Sequence, residues 1–408
     1  MNDTSLTPVI RIDAPDDFVV RDLIPLTDFS PPAMPRDELL RRWWKDAKRL
    51  IMGEDDAPYM DSGELEKTTL GLLDDVVAPP ACGPVLEEIG ASIDYWVTRD
   101  TTPVKIVVTP PCDDNCVMES WAKENDLPTL APPSRLTNPS PSPTNTPDLS
   151  GDGVLVIPRL ADWFMRHRNG LKPVRLLLEA IAQTDRRIVV GCNAWAWAFL
   201  VKAVEADMVL PTPEIFCPFD EDRLYHWLHG LARADATRDV RFRLTKSGRN
   251  VFPDDEDPDY DRDFFKTLAG RSLGIPWVAW YLWRASLRSR REVDDSDANG
   301  TNSADDAEAQ DRAARRMTLW ISEPSAVSLP SQHPQTALLV LHAILLHHSL
   351  TVEELRETVP IVGGSNIVAT LIARGFVRRL DGTLTCHPAA YGEIRAALSN
   401  AGFPMSAI

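Results

Sequence analysis

The segment that most constrains this chain is the pair Val104-Lys105-Ile106-Val107-Val108 and Val117-Met118-Glu119-Ser120-Trp121-Ala122-Lys123, set eight residues apart. The first is short, β-branched and apolar, and reads as a buried strand; the second has helical spacing. The alternation then repeats. Gly153-Val154-Leu155-Val156-Ile157 reads as a strand, followed by a helix from Leu160. A second helix runs from about Pro173 to Ala182, where Val174, Leu177, Leu178 and Ile181 recur at helical spacing. Arg187-Ile188-Val189-Val190-Gly191-Cys192 gives a third strand, and Glu214-Ile215-Phe216-Cys217 a fourth. Strands separated by helices pair in parallel, so the expected fold class is α/β with a parallel sheet.

The eight residues between the first strand and helix, Thr109-Pro110-Pro111-Cys112-Asp113-Asp114-Asn115-Cys116, have the length of the Walker A pattern G-x-x-x-x-G-K-[ST]. In that pattern glycines let backbone N–H groups curl round a phosphate, while a lysine and a hydroxyl address the terminal phosphates and Mg²⁺. Here Thr109 and Asp114 stand at the glycine positions, Asn115 at the lysine and Cys116 at the hydroxyl. Asp113 and Asp114 bring negative charge to the place where triphosphate charge would sit, and two prolines remove N–H donors. The frame of a phosphate loop is kept without its chemistry, which argues against ordinary ATP hydrolysis.

With 408 residues the chain is long enough for two to three domains. Its formal net charge of -17 disfavours indiscriminate binding to nucleic acid or anionic lipid. The N-terminus, MNDTSLTPVIRIDAPDD, has neither a basic nor an apolar region of a signal peptide, and no stretch approaches the ~18 apolar residues of a spanning helix. A cytoplasmic protein that does not insert directly into a membrane is expected. Six scattered cysteines, Cys82, Cys112, Cys116, Cys192, Cys217 and Cys386, then read as reduced thiols.

The remaining segments suggest an order of domains: an N-terminal arm and helices over 1–82, the α/β core over 83–235, a helical lid over 236–291, an acidic linker over 292–316 and a C-terminal domain over 317–408. The arm is interrupted by Pro25, Pro31, Pro32 and Pro35 and precedes a helix from Arg36 to Lys45; another helix, from Gly83 to Trp96, leads into the first strand. Thr129 to Leu149, rich in Pro, Ser, Thr and Asn, reads as a long surface loop. Helices are expected over Asp222–Leu231, Asp261–Leu268 and Pro276–Leu287, and a short strand over Thr318–Ile321. From His333 onward three helices precede a hairpin whose turn is Asp381-Gly382, and a final helix covers Tyr391–Leu398. Helix-helix-helix-hairpin is the order of a winged helix.

Taken together, these segments from about Gly83 to the C-terminus resemble an AAA+ module of the origin-recognition or STAND type: a P-loop core, a helical lid and a winged helix. The resemblance implies paired acids after the second core strand, one for Mg²⁺ and one for the attacking water. This chain has Pro158-Arg159 there, and Asp162 lies a helical turn too late. It further implies a polar sensor residue after the third strand, where Asn193 stands, and a lid arginine, for which Arg284 is the match. Beside Trp280 and Trp283, Arg284 reads better as a structural cation–π or ion-pair residue. The degenerate nucleotide site would thus comprise Thr109, Asp114, Asn115, Cys116, Asn193 and Arg284, with no catalytic residue, no bound metal and no required cofactor.

A pseudo-ATPase that acts as an assembly or regulatory module through protein contacts is the expected function, its partner being a protein, a second copy of itself or the cytosolic face of a membrane protein. Two alternatives stand beside it: ATP or ADP held without hydrolysis, and a winged-helix DNA regulator with a ligand-sensing core. The second would place Arg374, Arg378 and Arg379 on phosphates. Against it, the segment from Ser331 holds five arginines and five acids, and the helix Ser365–Ala373 is apolar. His342, His347 and His348 read as surface or partly packed residues, since the consecutive His347 and His348 point about 100° apart on a helix with no acidic or cysteine ligand at i+4, and His226 and His229, one helical turn apart, make a weak metal pair at best.

Overall fold

The computed structural model describes residues 19–35, 65–67, 82–136, 147–232, 240–253, 261–290, 318–322, 329–330 and 333–408. The helix expected over Arg36–Lys45, the acidic linker 292–316 and most of the acidic loop after Pro253 lie outside them. The chain forms two compact units. One comprises Val19–Pro31, Pro84–Pro218 and Ala326–Ile408; the other comprises Met1–Phe18, Pro32–Gly83 and Phe219–Ser325.

In the first unit, β1 (Ile24–Pro25) and α1 (Gly83–Arg99) precede β2 (Val104–Thr109), α2 (Val117–Glu124), β3 (Leu155–Ile157), α3 (Lys172–Ala182), β4 (Ile188–Asn193), α4 (Ala194–Val204) and β5 (Glu214–Ile215). The sheet order is β1-β5-β2-β4-β3. β2 runs parallel to β4 over six residue pairs, from Val104 opposite Ile188 to Thr109 opposite Asn193. β3 and β5 are also parallel to their neighbours, and β1 is antiparallel on the β5 edge. All six residues of β2 and of β4 are buried, which accounts for their nearly continuous apolar sequence. Apart from its antiparallel β1 edge this is the parallel α/β sheet expected from the sequence, and a strand–turn–helix, β2 to α2, leaves its centre. Gly191 lets β4 pass close to its surroundings, because a Cβ there would collide with the Pro158 carbonyl and the Met118 side chain.

The same unit holds the C-terminal segment: α5 (Pro334–His347), α6 (Val352–Thr358), α7 (Ile367–Ala373), the hairpin β6 (Val377–Leu380) with β7 (Thr383–Cys386), and α8 (Tyr391–Asn400). α5 is apolar on nearly every side and buries Ala337 to Leu346 against α4, α6, α7, α8 and β7, apart from half-exposed positions near its start. Thr351 and Glu354 close a reciprocal capping box at the start of α6.

The second unit departs from a purely helical lid. Beside the expected helices Glu221–Ala232, Arg262–Ser272 and Pro276–Ser286, it contains a sheet in the order Leu65–Lys67, Leu287–Arg290, Thr318–Ile321, Arg241–Leu244. The strands Arg241–Leu244 and Leu287–Arg290 are four residues each, too short for alternation to stand out from a charged background. Thr318–Ile321 is the strand expected from sequence, but its partners belong to this unit and not to the C-terminal segment. Glu221–Ala232, expected with the core, also lies here. Phe242, Phe252, Phe265 and Trp283 form its aromatic core, with ring centroids 5.3–5.9 Å apart.

Candidate functional site

Thr109 and Asn193 are register partners at the carboxyl ends of β2 and β4. The connections leaving these adjacent strands head to opposite sides of the sheet, which makes the crevice beyond them a topological switch point, the usual ligand position in open α/β sheets. The turn Thr109–Cys116 fills that position.

Cys112 and Cys116, rather than the glycine positions Thr109 and Asp114, hold the left-handed backbone, with φ of 62° and 47°. Each costs about 1–2 kcal/mol for an L-residue, so the surrounding packing fixes the turn. Asp113 supplies part of that packing: its Oδ2 accepts a 2.9 Å hydrogen bond from the Val117 N–H and caps α2. A carboxylate of the chain therefore occupies the helix N-terminus that would otherwise face an anion. Asp113 is buried, its Oδ1 has no hydrogen-bond partner, and burial pushes its pKa up to about 7. The next residue, Asp114, forms an ion pair with Arg378 of β6. The Asn115 carbonyl accepts from Ser120 Oγ at 2.8 Å, which ties the end of the turn to α2.

On the β4 side, Asn193 Oδ1 accepts from the Ala196 N–H at 2.8 Å and caps α4, while its Nδ2 donates to the Leu346 carbonyl at 3.4 Å. Both ends of the amide are thereby engaged inside the protein. Across the crevice, Arg159 stands just after β3, at the position for which the sequence resemblance implies paired acids. Its guanidinium reaches Cys116 Sγ at 3.6 Å, Glu119 at 3.7 Å and Asp162 at 3.0 Å. Burial raises the Cys116 thiol to about 11, so it stays protonated at neutral pH. The space left between Thr109, Asp113, Cys116, Arg159, Asn193 and His348 is about 20 Å³. That is room for about one water, against the roughly 300 Å³ or more of an ordinary ligand pocket.

The C-terminal segment forms one wall of this crevice. Trp195 Nε1 donates to Tyr391 Oη at 3.1 Å, and Tyr391 donates in turn to the Ile408 carbonyl at 2.7 Å. Arg166 contacts His342 Nδ1 at 3.0 Å and its N–H donates to His347 Nε2 at 3.3 Å. Burial holds His342, His348 and His387 down at about 4, and His347 well below the ordinary imidazole value. These imidazoles are neutral packing groups at physiological pH. Among the described residues no cluster of three or more His, Cys, Asp or Glu could hold a metal, and no helix is long and apolar enough to cross a membrane.

Of the residues singled out from sequence, Thr109, Asp114, Asn115, Cys116 and Asn193 gather at the crevice. Arg284 lies in the other unit, its guanidinium 5.2 Å from the Trp280 ring, as the cation–π reading expects. The three wing arginines separate: Arg378 turns inward to Asp114, Arg374 donates to the Leu329 carbonyl at 3.2 Å, and Arg379 is exposed. Sequence reasoning missed the capping role of Asp113 and the bridging role of Arg159. The first was signalled by an acid shortly before a helix, the second by an arginine directly after a buried strand.

No known protein family matches the sequence, and no curated protein is similar to it. Among solved structures, the chain is similar to Cdc6p from Pyrobaculum aerophilum, with 12% identity, 78% of this chain and 93% of that one covered, and a TM-score of 0.22. A RuvB mutant from Thermotoga maritima shows 12% identity over 79% of this chain and 94% of its own, with a TM-score of 0.30. The ORC2 protein of Aeropyrum pernix, in ADPNP and ADP complexes, shows 11% identity over 91% and 95%, with a TM-score of 0.26. At such TM-scores the fold rests on the strand order and register above, not on these likenesses.

Proposed function

We propose that this chain is a catalytically silent AAA+-like protein, cytoplasmic, whose winged helix and N-terminal arm serve assembly with a protein partner or a second copy. The observation that carries this reading is the Asp114–Arg378 ion pair, which commits the degenerate phosphate turn to the chain's own hairpin. Asp113 at the N-terminus of α2 and the guanidinium of Arg159 beside Cys116 support the same reading, since the anion-binding and cation-binding places of a nucleotide site are both filled from within. A cavity of about 20 Å³ argues against the alternative of nucleotide held without turnover. The inward turn of Arg378 weakens the DNA alternative, which would need it on a phosphate.

The test is phosphate release from ATP by the purified full chain, with Asn193→Ala as its control. The expected result is a rate equal to buffer for both proteins. A rate above buffer that Asn193→Ala abolishes would overturn the proposal.

A further inference from the structure

A second concavity lies on the other side of the short turn Leu160–Trp163. It has a volume of about 380 Å³ and is lined by Arg135, Asp162, Trp163, Phe164, Glu353 and Glu357, among others. This is within the size of ordinary ligand sites. Its position is built rather than accidental: the Met165 N–H donates to the Gly170 carbonyl at 3.0 Å and the Gly170 N–H to the His167 carbonyl at 3.1 Å, closing a tight loop along one wall. A Cβ at Gly170 would collide with the Met165 carbonyl, so this wall depends on glycine. Phe164 is fixed from behind by the His347 ring, 4.9 Å away.

The charge of the lining has a definite sign. Arg135 is its one arginine, and that guanidinium is consumed: it donates to the Ser349 carbonyl at 2.9 Å, pairs with Asp162 and lies 3.8 Å from Glu354. Glu353 and Glu357 also line the cavity. They are one helical turn apart on the same face of α6, are exposed, and make no ion pair among the described residues. Two carboxylates at that spacing offer acceptors to a planar guanidinium, whose fork geometry suits carboxylate oxygens better than a point-like ammonium does. The apolar wall formed by Trp163, Phe164 and Met165 suits the alkyl stem of such a side chain.

We propose that this cavity receives an arginine-bearing peptide segment of a protein partner, with Glu353 and Glu357 holding the guanidinium. The proposal deepens the partner-binding reading and rests on it. The volume favours a short segment over a lone side chain, and the charge is complementary to a basic sequence.

The experiment is calorimetric titration of the full chain, at physiological salt, with a short arginine-glycine peptide, its lysine-glycine counterpart and spermidine. The chain is compared with Glu353→Gln/Glu357→Gln and with Glu87→Gln/Asp94→Asn, which removes two exposed carboxylates from α1 and changes net charge equally. Thermal melts of both variants check that the fold is intact. The expected result is saturable binding of the arginine peptide, weakened at least tenfold by the α6 pair and less than twofold by the α1 pair. No binding of the arginine peptide, or equal weakening by both pairs, would overturn the cavity as its site. Tighter binding of spermidine or the lysine peptide would overturn the guanidinium assignment. None of these outcomes depends on ATP, so a failure here leaves the phosphate-release result standing on its own.

Discussion

The crevice at the carboxyl ends of β2 and β4 and the cavity under α6 are separated by one short turn, yet they end in opposite states. In the crevice, charges meet partners from within the chain: Asp114 meets Arg378, Asp113 caps α2, and Arg159 lies between Cys116 and Asp162. In the cavity, Arg135 is consumed by Asp162 and the α5–α6 carbonyls, while two carboxylates of α6 remain at the opening. The difference shows how position in a fold and function come apart. The switch point is where a ligand is expected, and here it has become a packed joint. The neighbouring concavity, with no special place in the topology, keeps the volume and the uncompensated charge.

Asp162 is the hinge of this contrast, because it binds Arg159 on the crevice side and Arg135 on the cavity side. Asp162→Ala leaves two partly buried guanidinium groups short of a counter-charge and should have the largest effect, a loss of about 3 kcal/mol in denaturant unfolding. A loss below about 1 kcal/mol would mean that the two sites are not joined through this carboxylate.

Arg378→Met tests the crevice alone. Its side chain and that of Asp114 are 21% and 17% exposed, so water screens part of the pair, and we expect about 2 kcal/mol. Adding Asp114→Asn to Arg378→Met should restore most of the loss, since the stranded charge is then gone. Two losses that simply add would break the pairing.

Protonation acts on the buried imidazoles and on Asp113 with opposite signs. His342, His348 and His387, held down at about 4 by burial, take up protons on unfolding, so their contribution is full above about pH 6.5 and falls as pH drops from there towards 4. Arg166 faces His342; Arg159, Asp162, Asp114 and Arg135 surround His348; Arg378 and Asp114 surround His387. Asp113 has the opposite sign: with its pKa raised by burial from 3.8 to about 7, its contribution is full below 3.8 and is lost as pH rises to about 7. Asp113→Asn keeps an acceptor for Val117 and removes the alkaline loss. It should therefore stabilise the chain by about 1–2 kcal/mol near pH 8 and change little near pH 4. A pH-independent effect would contradict a buried, half-partnered carboxyl.

The smallest effect belongs to the other unit. Arg284→Met removes the guanidinium above Trp280 and should cost about 0.5–1 kcal/mol. It should leave the pH dependence of the first unit untouched.

How far the sequence carried these conclusions differs between the two regions. The crevice was largely legible. Apolar runs marked β2 and β4, the eight-residue spacing marked the turn, and the absent glycines, lysine and acids could be read residue by residue. What could not be read was that Arg378 turns inward. An arginine on an alternating two-stranded hairpin reads as solvent-facing, and its partner lies far back in the chain, so only tertiary pairing reveals it. The cavity was not legible at all. Arg135 sits in a Pro- and Ser-rich stretch whose composition reads as surface loop, although its side chain is only 10% exposed. Glu353 and Glu357 look like ordinary exposed acids at the two ends of a short capped helix until the wall opposite them is known. The short strands of the second unit were missed because four residues carry too little periodicity.

Whether the crevice is filled from within is read by calorimetric titration of the full chain with Mg·ATP and Mg·ADP, repeated on Arg378→Met to open the joint. No saturable binding by the native chain is expected at millimolar nucleotide. Stoichiometric binding by the native chain that Asn193→Ala weakens would contradict it.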